Sequence, residues 1–458
     1  MSNIRQSEKF EEQLQSLFQV KRDLLNESGS DAVNALRDSA FNDFMRLGIP
    51  TRFTESYKYT NLLPAFAHTY HNSFTKKEAF SLANDHFHCG VANMDTHNVY
   101  VINGWLDEAN SEINGLPKGV IVGSFANCAK QLQDKIAPFY GKIASSAKDA
   151  NIALNSAFAQ DGFFIYIPDN VVVEKPIQVV NVYTSTQDTS IFQRNFVLVG
   201  KRAEVKLLYC DHSLSENRYL VNSVTEVVVD EEGIFDFYNV QNLHNLTTAI
   251  NTLAINQLGK SKVYTTHLNL HTGLSRNNTT VELNGEESEA NLFGLYLCDK
   301  SQHVDNFTSI SHNSPNCYSN ELYKGVMDNS STGVFAGRVY VAKDAQKTNA
   351  FQKNNNLLLT SDARINTKPQ LEIYADDVKC SHGATIGQLD DNAMFYLRSR
   401  GVGMEEARIL LMYAFAYEVI EKIRVAPLKE QIRELVERTF RGELNSCSSC
   451  VVCGKTDN

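Results

Sequence analysis

No run of apolar residues is long enough to cross a bilayer, which excludes a membrane-spanning helix. Nor is there a basic start leading into an apolar core. Charged and apolar positions alternate over the first thirty residues, from Arg5 and Glu8 to Lys21 and Asp23, so a secretory signal is not expected. Basic charge is in deficit, with 43 Lys and Arg against 53 Asp and Glu and a formal net charge of -10. That balance opposes attraction to phosphate backbones, so neither nucleic acid nor an anionic membrane is an expected partner. Paired cysteines are also missing. The total of nine is odd and the first six stand singly, which reads as reduced thiols in a cytoplasmic chain rather than a disulfide framework. A phosphate loop is absent too: Gly259-Lys260-Ser261 resembles the end of one, but Ala254 stands where its first glycine belongs. No nucleotide is therefore expected on this chain. No Gly-x-Gly-x-x-Gly fingerprint appears either, and flavin is left unassigned.

What the chain does have is length: 458 residues, 43% of them apolar, enough for a large core and more than one region. Phe10, Leu14, Leu17 and Phe18 fall on one helical face, as do Val33, Leu36, Ala40, Phe44 and Leu47, and Gly48 with Pro50 ends the second helix. Residues 1–97 are thus expected to be mostly helical. From about Asn98 the period becomes two, as in Phe163, Ile165 and Ile167 or Val227 and Val229, with asparagine and glycine at the breaks. About 280 residues of short strands without helical crossovers suit a parallel β-solenoid over residues 98–380 better than a sandwich or a doubly wound sheet. Helical patterning returns over 381–445, in Asp391 to Arg400, Met404 to Ile423 and Pro427 to Arg441. These helices are expected to cap the open end of the solenoid, to dock a partner, or both. Residues 446–458 read as a cysteine-rich, disordered tail.

Many words between Ser275 and Ile423 carry a family resemblance. They include Leu283-Asn284-Gly285-Glu286, Asp305-Asn306 with His312, Leu322-Tyr323-Lys324-Gly325, Thr367-Lys368-Pro369-Gln370-Leu371-Glu372-Ile373 and Ala375-Asp376-Asp377-Val378-Lys379-Cys380. His382-Gly383-Ala384-Thr385 and Gly387-Gln388-Leu389-Asp390 follow. In these the chain resembles the SufD family of iron-sulfur cluster assembly scaffolds. The paralogous SufB family usually carries Glu-His-Glu-Ala-Thr where this chain has Cys380-Ser381-His382-Gly383-Ala384-Thr385, and Tyr57-Lys58-Tyr59-Thr60 is similar to a Trp-Lys-Tyr-Thr element near the start of SufD proteins. The resemblance implies a right-handed parallel β-helix between two helical regions. It also implies a SufB-type partner along the β-helix, a SufC-type ABC ATPase at the C-terminal helices, and a nascent cluster at the SufB–SufD junction near the histidine that aligns with His382. A homodimer of the isolated chain stays open.

The residues themselves allow such a role. Thiolates hold iron-sulfur clusters and imidazole can replace a thiolate on iron. Cys380 and His382 are two apart, so in an extended segment both side chains point to one face. They supply a transient cluster with two ligands, and a partner must supply the rest. His382 is the principal candidate and Cys380 the secondary one. Cys447, Cys450 and Cys453 form a Cys-x-x-Cys-x-x-Cys tail whose spacing also suits metal thiolates, without a fourth cysteine nearby. His267 and His271 alternate with Leu268 and Leu270 and are expected on a solvated face, while His303, Asp305 and His312 are read as coil turns. Two rivals stand beside the scaffold: a purely structural adaptor, and a β-helix enzyme acting on polysaccharide. The second is disfavoured because adjacent Asp376 and Asp377 would point to opposite faces of a strand.

Overall fold

The computed structural model describes residues 2–81, 91 and 93–443. Two helices lead the chain, Ser2–Ser28 and Asp31–Leu47. The second is set by local signals: the Ser30 hydroxyl accepts from the Val33 N–H, Asp31 sits in the first turn, Arg46 in the last, and Gly48 at φ 66° ends it. Its apolar face packs on a third helix, Ala150–Phe158, whose start is capped by the Asp149 carboxylate. Phe18 stacks on Phe41 with ring centroids 4.2 Å apart, and both meet Phe158 edge-on.

The body is a β-solenoid of about seven turns, mainly β as expected, with helices at both ends of the chain. From Thr189 to Leu358 successive strands alternate between two sheets, and each pairs in parallel with the strand two before it and the strand two after it. Paired residues are 26 apart at Thr248 and Leu274 and 32 apart at Thr332 and Arg364, which brackets the coil length. Inward positions stack from coil to coil into a column of Val, Ile, Leu and Phe, from Val99 and Phe163 through Val227 and Ile255 to Val304 and Phe335. Burial of this continuous apolar column outweighs the loop-closure cost of each coil, which no coil could offset alone.

Two placements differ from the expected division. Residues 98–162 are not regular coils: His97–Ile102 extends one sheet by pairing in parallel with Ile177–Tyr183, but Trp105–Asp107 and Ile121–Ser124 pair antiparallel, and helices Phe125–Gln131, Gln133–Ile136 and Ala150–Phe158 fill the rest. Side-chain caps from Ser124 and Asp149 start two of those helices, and regular stacking begins only at Phe163. At the other end the last strand is Val378–Gly387, so a boundary after 380 falls inside a strand.

The C-terminal helices Asp391–Ser399, Met404–Ile420 and Ala426–Phe440 do not cap the solenoid. The last two lie along its flank, where outward residues Leu208, Val240, Leu268, Leu295 and Leu322 form an apolar stripe against Ile409, Met412, Ala416, Ile432 and Leu435. Ion pairs fix them there: Arg424 with Asp236 at 2.6 Å, Arg408 with Asp328 at 2.8 Å and Lys324 with Glu418 at 2.5 Å. Covering that stripe is what the helices accomplish, and among the described residues the end of the stack is left open.

Candidate functional site

Among the described residues Val378–Gly387 pairs on one side only, with Thr348–Leu358, and closes the order of its sheet. Cys380 pairs with Ala350 and His382 with Gln352. Ala350 and Gln352 are buried, and Cys380 packs against the interior cluster of Val339, Val341, Ala345 and Ala350. The inward face of the last strand therefore carries Cys380 and, two residues on, His382. With no further coil above them, Cys380 is half-buried and His382 exposed. The expected face-sharing is thus real, and it places both groups at the open mouth of the solenoid interior.

Burial is the main cause that raises the Cys380 thiol above its ordinary pKa. It stays protonated at neutral pH until a metal or a cation from outside displaces the proton. Among the described residues no group of three or more His, Cys, Asp or Glu side chains could hold a metal. One thiol and one imidazole fit the donor chemistry of an iron-sulfur cluster, but only as part of a ligand set. Cys447, Cys450 and Cys453 lie outside the described residues.

A polar column that the sequence did not reveal lies beneath this mouth. Glu321, Gln352 and His382 occupy matching positions on three successive strands of one sheet. The buried Glu321 carboxyl accepts from Thr308 at 2.7 Å and from the Gln352 amide at 3.2 Å, and burial pushes its pKa up to about 7. Only the coil length, which sequence periodicity did not supply, aligns residues 31 and 30 apart.

The other histidines fall elsewhere than expected. His267 and His271 are buried rather than solvated, and desolvation lowers His267 to about 4. His303, Asp305 and His312 lie in one strand, not in turns. Asp305 is buried in an ion pair with Arg276 and accepts from Thr60, whose hydroxyl is also 2.9 Å from His303 Nε2. His312 Nε2 meets the Ser319 hydroxyl at 2.8 Å. Tyr57 is fully enclosed: the Arg276 guanidinium lies 4.5 Å from its ring centroid, and its hydroxyl accepts from the Asn151 amide at 2.8 Å. The Tyr57-Lys58-Tyr59-Thr60 word is thus a docking element that ties the N-terminal region to the middle of the solenoid.

Comparison with known proteins meets this architecture over most of the chain. The model of the SUF system FeS cluster assembly SufBD core domain matches residues 182–415, and that of the SufBD protein N-terminal region matches residues 8–179. The chain belongs to the SufBD family. Within that family it is of the SufD type. It is 34% identical to an iron-sulfur cluster assembly SufBD family protein of Synechocystis over 73% of this chain and 76% of that one. To the iron-sulfur cluster assembly protein SufD of Escherichia coli it is 46% identical over 36% of this chain and 40% of that protein. The Bacillus subtilis SufD is 28% identical over 71% and 75%. As a SufD-type chain it is a participant in iron-sulfur cluster assembly. Among its described residues no helix is long and apolar enough to cross a membrane.

Proposed function

We propose that this SufD-type chain is a non-catalytic scaffold subunit of a cytoplasmic assembly complex. It pairs with a SufB-type paralogue, carries a SufC-type ATPase on its C-terminal helices, and lends His382 and Cys380 to a nascent iron-sulfur cluster at the subunit junction. The observation that carries this reading is the open solenoid end: an unpaired strand edge with a thiol and an imidazole on its inner face. An unpaired edge is a template for β-augmentation by another chain. Exposed Ile386, Tyr374 and Ile373 beside it give that contact apolar area. Two ligands are too few to hold a cluster, which suits a cargo that must be released. Exposed Phe395, Tyr396, Met404, Leu410 and Tyr417 on the C-terminal helices support a second docking surface.

The structural adaptor is the second reading, favoured by the high pKa of the Cys380 thiol. Copurification with tagged SufB-type and SufC-type partners, followed by anaerobic reconstitution with iron and sulfide, tests the assignment. A stable ternary complex that assembles clusters supports the scaffold. A complex that forms equally well when Val378–Gly387 carries a proline at an edge position counts against docking through that strand.

A further inference from the structure

Gln352 is 3% exposed and Glu321 1%, so both amide and carboxyl sit in the solenoid interior. The Gln352 amide nitrogen is committed to Glu321, while its carbonyl oxygen, Oε1, is buried without a hydrogen-bond partner among the described residues. A buried acceptor left unpaired costs free energy, so its retention calls for a function. Gly337 on the facing sheet leaves room for the amide: a Cβ there would collide with Gln352 Nε2. The amide is thus held between a glycine gap and a carboxyl group, with its carbonyl uncommitted.

The next position in this column is His382, in register with Gln352 and on the same inward face. Adjacent strands stand about 4.8 Å apart, so an imidazole N–H above that carbonyl is within side-chain reach. Histidines that ligate metals regularly donate their other N–H to a carbonyl or carboxylate, which fixes the tautomer and the ring orientation. We propose that Gln352 is the positioning residue for His382: its side-chain carbonyl accepts one imidazole N–H and leaves the other ring nitrogen, as a lone-pair donor, facing the open end. Glu321 acts one step further in, by holding the Gln352 amide so that its oxygen points outward. This rests on the reading of His382 as a cluster ligand, and extends that reading from the mouth to the two coils beneath it.

The test uses the full chain labelled with 15N-histidine and long-range 15N–1H spectra at about pH 8, where an ordinary imidazole is neutral. The signals of His382 are identified by their loss in His382→Ala. One tautomer should dominate in the native chain, and Gln352→Leu should shift the tautomer populations at least twofold. Gln352→Glu, which keeps an acceptor oxygen, should restore the native pattern at least in part, and Glu321→Gln should give an intermediate shift. Gln352→Met serves if the leucine variant does not fold. An unchanged His382 spectrum in a folded Gln352→Leu or Gln352→Met chain would overturn the proposal. Cluster yield in the reconstituted complex separates the two levels. Lower yield in both His382→Ala and Gln352→Leu supports both readings. Native yield in His382→Ala rejects the ligand, while the tautomer shift still decides for or against Gln352.

Discussion

Thr60 and Asp305, 245 residues apart in sequence, share a buried hydrogen bond, and the same carboxylate pairs with Arg276. The relationship joins the N-terminal region to the fifth and sixth regular strands of one sheet. Arg276 in turn is sandwiched between the rings of Tyr57 and Phe307. Arg276→Met leaves a buried carboxylate without its cation and is expected to cost about 3–5 kcal/mol. Adding Asp305→Leu should recover most of that loss. Urea unfolding of the two variants checks it, and equal destabilisation of single and double variants would contradict the pairing.

The flank helices should respond to cavities more than to the loss of exposed ion pairs. Ile432 and Leu435 are 1% exposed against the apolar stripe of the solenoid. Each, changed to alanine, should destabilise by about 2–5 kcal/mol. Limited proteolysis is expected to cut first within 404–440. Arg433→Ala, at an exposed ion pair with Glu430 and Glu421, should leave the urea midpoint essentially unchanged.

Glu321 predicts a pH dependence. Its folded pKa, about 7, lies above the ordinary value of 4.5 because burial disfavours the charged form. A carboxyl group that binds its proton more tightly when folded adds stability at low pH. That contribution is full below the unfolded value and declines as pH rises toward about 7. Asp161 and Asp211, each raised to about 6, add slopes of the same sign. The test is therefore a difference: Glu321→Gln should flatten the loss of stability between about pH 4.5 and 7, by roughly 3 kcal/mol in all. An identical slope in both proteins would show that Glu321 does not titrate there.

Deleting the residues after Asn445 is expected to leave complex formation and cluster yield unchanged, because the account places all ligands of this chain on Val378–Gly387. Iron content before and after truncation measures this. A fall in bound iron would assign the Cys447, Cys450 and Cys453 tail a role.

The sequence made the architecture legible where one period ran long enough. Period two in Phe163, Ile165 and Ile167 and in Val227 and Val229 marks the solenoid, and all five are core residues. It failed where burial on both faces removes the contrast. Val224, His267 and Glu321 are buried alike, so alternation could not tell the inner face from the covered outer one, and His267 and His271 were misplaced on solvent. The helix starts at Phe125 and Ala150 depend on caps from Ser124 and Asp149 inside a region whose asparagines resembled strand breaks. The flank position of the last helices depends on a stripe of Leu208, Val240, Leu268 and Leu295 gathered from four coils. Such a stripe exists only once the coil length is known. For the same reason Cys380 and His382 could be placed on one face by their spacing, whereas Gln352 and Glu321 beneath them could not be found.

The most direct measurement is cluster formation by the reconstituted complex containing His382→Ala. The side chain is exposed at the open end, so its removal should leave the fold intact. The complex is expected to assemble with its ATPase activity intact, while cluster yield falls severalfold. Native cluster yield in that complex would contradict this expectation and leave the chain as a structural adaptor.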